Sequence, residues 1–150
     1  MLSYCFQVWD VPRASLRTMK PVADTPMDFT QPTAIGSRFA AVKGENPNGG
    51  YDHCFVIDGW DETLRPAARV SDPQSGRVME ILTTEPGIQL YTGNFLDGKA
   101  ANGGFRQHTA FCLECQHFPD SPNQPDFPNT IYGLREVYTQ TTVHRFSVEK

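Results

Sequence analysis

The chain has 150 residues, 39% of them apolar, which is material for one domain around one core. Thirteen Lys and Arg against seventeen Asp and Glu give a formal net charge of −4, spread in mixed signs with no basic run that could track a phosphate backbone, so nucleic acid is excluded as a partner. No apolar stretch approaches the ~18–20 residues that span a bilayer, so no membrane partner is expected and the expected location is cytoplasmic.

Residues 1–20 lack an early basic region and interrupt their apolar residues with Gln7 and Asp10, which does not fit a signal peptide. They match nothing around them in pattern and are expected to form a poorly ordered lead-in, with residues 21–150 making the folded unit. Cys5, Cys54, Cys112 and Cys115 are too few and too scattered for the disulfide framework of a small secreted protein, so reduced thiols are expected. Twelve Gly and twelve Pro leave few long windows free of both breakers, and strands rather than helices must carry the fold.

Residues 64–70 and 77–84 read as two strands joined by Ser71-Asp72-Pro73-Gln74-Ser75-Gly76, a run of turn formers, and so as a hairpin. Residues 88–95 are rich in β-branched and aromatic side chains and end in Leu96-Asp97-Gly98, where Asp-Gly favours a turn. A polar, Gly-rich loop follows through Gly104. Residues 110–116 form the next strand, with Cys112, Glu114 and Gln116 on one face and Phe111, Leu113 and Cys115 on the other. Residues 137–148 make a long closing strand whose even-numbered face carries Tyr138, Thr142, Phe146 and Val148. Short strands at these spacings predict an all-β fold, an antiparallel sandwich.

By local pattern alone Glu114 is an exposed strand glutamate, Gln89 a half-exposed strand residue and Asp52 a turn residue after Gly49-Gly50. Cys112-x-x-Cys115 has a metal or redox spacing, but residues three apart in a strand lie on opposite faces, which argues against a shared ion or bridge; no metal site is expected. Pro119, Pro122, Pro125 and Pro128 recur every third residue, as in a polyproline II segment that docks a partner domain.

Four stretches in order carry a resemblance: Gly50-Tyr51-Asp52-His53, Ser75-Gly76-Arg77-Val78-Met79-Glu80, residues 83–98 with Thr83-Thr84-Glu85-Pro86-Gly87-Ile88-Gln89, and Phe111-Cys112-Leu113-Glu114. Together they resemble the aldose 1-epimerases, also called galactose mutarotases. Thr25-Pro26-Met27-Asp28-Phe29 extends the similarity, which covers about residues 21–150. The resemblance implies a galactose mutarotase-like β-sandwich, N-terminally truncated, that binds a glucose- or galactose-type aldose and interconverts its anomers without a metal or organic cofactor. It implies Glu114 as the catalytic base and Asp52 and Gln89 as sugar contacts. The proline-spaced loop has a counterpart in the family, so a rigid border of the sugar cleft is expected over residues 118–127. Departures fall at Cys54, where the family commonly has Asn, and at Cys115, where it commonly has Thr.

Mutarotation needs a base at the C1 hydroxyl and an acid at the ring oxygen, each worth ~10²–10⁴-fold. A carboxylate with a reference pKa of ~4.3 is already ionised at neutral pH and suits the base. The family's acid, a histidine, belongs to a segment preceding the similarity, within a His-Pro-containing motif that does not occur here. His53, His108, His117 and His144 lie in C-terminal family motifs or in the closing strand, so none takes the acid's role by motif. Two outcomes are therefore expected as alternatives: an aldose 1-epimerase-like enzyme, or an inactive truncated or split fragment that binds carbohydrate. A half-sandwich exposes strand edges and an apolar face, so self-association or a complementary N-terminal chain is the expected partner.

Overall fold

The computed structural model describes residues 5–8, 13–15, 19–42 and 49–149. In chain order the strands are β1 (Cys5–Val8), β2 (Arg13–Ser15), β3 (Met19–Pro21), β4 (Thr33–Ala34), β5 (Asp52–Val56), β6 (Arg65–Ser71), β7 (Arg77–Thr83), β8 (Gly87–Tyr91), β9 (Cys112–Gln116) and β10 (Thr142–Val148). They form two five-stranded antiparallel sheets, ordered β10-β7-β6-β1-β4 and β3-β2-β5-β8-β9. Among the described residues the only helical pieces are short 3₁₀ turns at Ile35–Arg38, Ala100–Asn102 and Ser121–Asn123. The predicted all-β antiparallel sandwich is the fold observed.

The predicted hairpin is β6–β7. Asp72 builds its turn: one carboxylate oxygen accepts the Gln74 N–H at 3.1 Å and the other the Ser75 hydroxyl at 2.6 Å. Gly76 closes it at φ 70°, where a Cβ would lie 2.1 Å from the Glu149 carbonyl oxygen, so only glycine fits. Pro66, which lacks a ladder donor, coincides with an irregularity in the β6–β7 register.

Three boundaries differ from the expectation by two residues or more, two of them because of long-range hydrogen bonds. β8 stops at Tyr91 instead of running to residue 95, because Thr92 and Asn94 turn back onto Tyr51: the Asn94 side-chain amide donates to the Tyr51 carbonyl at 2.8 Å, and the Tyr51 N–H donates to the Thr92 hydroxyl at 2.8 Å. β10 starts at Thr142 instead of 137, because Tyr138 is drawn away to hydrogen-bond Glu85. β9 starts at Cys112 rather than 110. No strand before residue 64 is expected from the sequence, yet β5 lies in the middle of its sheet. Of the expected lead-in, β1 pairs with both β4 and β6 and β2 with β3 and β5; residues 1–4, 9–12 and 16–18 lie outside the described residues.

The core lies between the sheets, with a cluster of aromatic rings set among aliphatic side chains. Phe29 meets Phe6 at 5.0 Å, Tyr51 at 5.1 Å and Phe55 at 6.0 Å, all edge-to-face, the arrangement that aligns ring edges with ring faces. Ile35, Ala68, Val70, Ile81, Ile88 and Leu90 are buried around them. Tyr51 satisfies its hydroxyl on the Pro26 carbonyl at 2.9 Å, and burial pushes its pKa up to about 12. Burial fades toward the β10 edge. In the cross-strand row Val70, Met79, Phe146, the first residue is buried, the second half-buried and the third 72% exposed; Val148 on the same face is 68% exposed.

Candidate active site

The sheet β3-β2-β5-β8-β9 turns one face to the core and the other outward, and strict alternation decides which side chains appear on each. Phe55, Ile88 and Leu90 are buried in the core, and Leu113 packs against it. Asp52, Cys54, Gln89, Tyr91, Cys112 and Glu114 have the opposite parity and share the outer face.

Register brings the sequence-predicted residues together on that face. Cys54 pairs with Gln89, and Gln89 pairs with Glu114 on the edge strand β9, so Gln89 and Glu114 stand directly opposite one another. Directly opposed side chains have Cβ atoms ~4.5–5.5 Å apart. Asp52 lies one diagonal step away, and the Gln89 amide nitrogen donates to its carboxylate at 2.7 Å. Glu114 and Asp52 are exposed and Gln89 half-buried, with the Gln89 carbonyl oxygen buried and free of a protein hydrogen bond. Gln89 thus bonds one outward-facing carboxylate and stands in register with the other.

The border of this face is made by the loop after β9. Phe118 folds back and buries itself with Cys54 and Val56, while Phe127 packs on it edge-to-face at 5.3 Å. Gly87 is required beneath this lid: a Cβ there would lie 2.9 Å from the Cys54 sulfur and 3.0 Å from the Phe118 ring. Asp120, at φ 66°, holds the loop shape by accepting from Asn123 at 2.6 Å and Gln124 at 2.9 Å. The 3₁₀ turn Ser121–Asn123 interrupts the proline period, so the prolines shape a folded loop beside the site rather than a continuous polyproline helix. Cys54, the departure from Asn, is packed apolar, and burial pushes its thiol up to about 12. Cys112 is exposed on the outer face while Cys115 points inward, and both are free thiols.

Tyr91 and Phe95 belong to the same neighbourhood and escape the sequence reading. Tyr91 lies opposite both Asp52 and Cys112, and its ring stacks on Phe95 at 6.2 Å and 18°, with the Phe95 N–H donating to the Tyr91 hydroxyl at 3.1 Å. Phe95 is 62% exposed, an aromatic surface beside three polar groups. Counting by two from Gln89 would have placed Tyr91 on this face; the fold-back that brings Phe95 onto it has no comparable sequence signal.

The histidines lie elsewhere. His53 faces inward; its Nδ1 accepts the Asp52 N–H at 3.0 Å, and burial lowers its pKa despite the opposing pull of the Asp52 carboxylate. His108 donates from Nδ1 to the Thr92 carbonyl at 3.0 Å and lies 4.3 Å from the Phe39 ring. His117 is bonded to Glu85 at 2.7 Å, and His144 lies on β10 in the other sheet. Among the described residues, no group of three His, Cys, Asp or Glu side chains is placed to hold a metal ion, and no helix is long and apolar enough to cross a membrane.

Comparison with known proteins gives the chain's family. The family model described as aldose 1-epimerase matches residues 6–145. The chain is 44% identical over 130 residues to the galactose mutarotase of Bos taurus, covering 85% of this chain and 36% of that protein. It is 33% identical over 135 residues to the aldose 1-epimerase of Escherichia coli strain K12, covering 87% and 39%. Among solved structures, a GalM/aldose epimerase homologue from C. elegans superposes with a TM-score of 0.79 at 21% identity, covering 99% of this chain and 47% of that one. The chain thus spans well under half the length of the curated relatives it matches. On the extent of the family match and the identity to these relatives, the chain belongs to the aldose 1-epimerase family.

Proposed function

We propose that this chain is an aldose 1-epimerase of hexose metabolism, acting on free glucose- or galactose-type aldoses in the cytoplasm, with Glu114 as its base. The observation that carries the reading is the convergence of Glu114, Gln89 and Asp52 on one outward face, tied by the 2.7 Å Gln89–Asp52 hydrogen bond. Glu114 takes the proton of the C1 hydroxyl as the bond from C1 to the ring oxygen breaks and an acid protonates that oxygen. The open-chain aldehyde turns about C1–C2, and the reverse steps close the ring on the other face. Asp52 accepts from sugar hydroxyls, and Gln89, whose carbonyl oxygen has no protein partner, accepts from another, so the sugar satisfies an acceptor otherwise costly to leave buried. The exposed Phe95 ring beside Tyr91 offers an apolar face to the sugar's C–H groups.

The test is polarimetric relaxation of freshly dissolved α-D-glucose and α-D-galactose, compared with buffer and with Glu114→Gln. Loss of one proton-transfer group should cut the acceleration ~10²–10⁴-fold. Relaxation no faster than buffer, in folded protein, would sink the autonomous-enzyme reading.

One observation favours the second reading, a sugar-binding or assembling chain without turnover of its own. His53 has the parity of the core side, His117 is bonded to Glu85 past the end of β9, His108 is tied to the Thr92 carbonyl and His144 is in the other sheet, so none is paired with Glu114. In that case the acid comes from a complementary chain. Acceleration that appears only on mixing with such a chain, supplying a histidine, distinguishes the two.

A further inference from the structure

A second constellation of ionisable groups lies at the end of the sandwich, where β7 passes to β8 and β9 passes to its loop. Glu85 is 2% exposed, and both its carboxylate oxygens are engaged: one accepts from His117 Nδ1 at 2.7 Å, the other from the Tyr138 hydroxyl. Its backbone N–H donates to the Thr83 hydroxyl at 3.1 Å. These partners are 32 and 53 residues away in sequence, and they border a cavity of about 470 Å³.

Nothing in packing alone calls for a carboxylate here. Removing a charge from water is costly until its partners offset it, and buried ion pairs are often replaceable by apolar residues of the same volume without loss of stability. The arrangement has instead the form of an oriented imidazole. With Nδ1–H committed to Glu85, the ring is fixed in one orientation, and among the described residues its Nε2 has no hydrogen-bond partner, in a side chain that lines the cavity. The walls are equally fixed: Trp60 donates its indole N–H to the Thr84 carbonyl at 2.7 Å, and Thr84 and Thr141 are joined by two hydrogen bonds of 3.0 and 2.9 Å.

This group cannot serve the sugar at Glu114. Residues 114 and 117 have opposite parity at the end of β9, and three residues of strand span roughly 10 Å. The cavity is a separate place, and its lining describes its occupant. Trp60, Tyr132 and Tyr138 supply aromatic faces, while His117, Gln140 and Glu62 supply polar edges. Among the described residues no Lys or Arg lines it, and the His117 imidazole is already matched to a carboxylate, so these residues offer phosphates and carboxylates no counter-charge. Aromatic faces with neutral and acceptor edges, in a cavity of drug-like size, suit an uncharged molecule that carries both C–H faces and hydroxyls.

We propose that this cavity is a second binding site, for a neutral polyhydroxylated small molecule, in which His117, oriented by Glu85, bonds a ligand hydroxyl through Nε2 against the Trp60 and Tyr132 rings. The proposal does not rest on the mutarotase reading, because it concerns binding at a site that Glu114, Gln89 and Asp52 do not line.

Trp60 is the natural reporter once Trp9→Phe removes the chain's second tryptophan. The full chain is titrated with methyl β-D-galactopyranoside, which cannot open its ring, and with myo-inositol, while Trp60 emission and the His117 side-chain nitrogen resonances are followed. Saturable change in both signals, at millimolar ligand, is expected. It should persist in Asp52→Asn and Glu114→Gln, and weaken at least about tenfold in Tyr132→Ala and in His117→Gln. Gln140→Ala, at an exposed position, checks the site where a ring variant fails to fold. Absence of a saturable response to either probe overturns the proposal. So does a response abolished by Asp52→Asn but not by Tyr132→Ala, which belongs to the outer face of β8, and so does a response to tetramethylammonium alone, which would make the aromatic, acidic cavity a site for organic cations.

Discussion

Gln89 donates its side-chain amide to the Asp52 carboxylate across the β5–β8 pair, at 2.7 Å, while standing in direct register with Glu114 on β9. A single side chain therefore spaces two carboxylates on a sheet that is otherwise apolar beneath them. Because an amide can donate to one carboxylate and still accept from a ligand, Gln89→Glu would keep the shape and reverse the sense, bringing a third acidic group among like charges. It should lower affinity for a monosaccharide at least about tenfold, equal to about 1.4 kcal/mol. The variant should also make binding pH-dependent, with affinity recovering as the pH falls and one carboxyl protonates. Chemical-shift titration with D-galactose at two pH values checks both statements.

The face depends on its lid as much as on its polar groups. Gly87 has no room for a methyl group under Cys54 and Phe118, and neither neighbour is the far end of a flexible chain. Gly87→Ala should destabilise by about 1–3 kcal/mol through overpacking. Phe118→Ala, which removes the lid, should cost about 3–5 kcal/mol. Urea midpoints, with unchanged m-values, are the measurement; a Gly87→Ala protein as stable as the parent would mean that the loop carrying Phe118 is free to lift.

His53 gives a pH dependence of defined sign. Burial depresses its pKa below the ordinary value of 6.5, with Asp52 only partly opposing, so the unfolded chain binds the proton more readily than the folded one. Stability from this group is full above pH 6.5 and is lost as the pH falls through the depressed folded value. In His53→Gln, which keeps an acceptor for the Asp52 N–H, the decline in urea midpoint between neutral and mildly acidic pH should be shallower than in the parent. An identical pH profile for the two proteins would show that His53 titrates no differently on folding.

The sequence exposed what alternation and turn chemistry control. The β6–β7 hairpin follows from Asp72 and Gly76, and the outward direction of Glu114 follows from the apolar row Leu113 and Cys115. Tertiary diversions were not legible. Tyr138 reads as strand because it is aromatic and in phase with Thr142, yet a buried carboxylate 53 residues away holds it out of the sheet. Glu85 itself reads only as part of a motif, since nothing local reports that His117 will meet it. β5 hides because Asp52-His53 opens it with two polar residues, and its buried run begins only at Cys54.

The outer end of the row Val70, Met79, Phe146 leads to the last expectation. Phe146 pairs with Met79 across the edge strand β10 and remains 72% exposed, with Val70, Met79 and Phe111 bordering the apolar hollow beside it. Among the described residues β10 also has one unpaired backbone edge, since β7 occupies only its other side. Exposed apolar surface next to a free strand edge is the combination that templates association. The outer face of the same strands carries charge, Arg145 lying 3.6 Å from Glu80, so attraction should be confined to the inner face. Isolated chain should therefore self-associate at micromolar concentration, and Phe146→Lys should shift it toward monomer while leaving the melt within about 0.5 kcal/mol, as surface substitutions usually do. Sedimentation equilibrium of the two proteins decides it: a parent that is monomeric throughout the concentration range would show that β10 is not an associating edge.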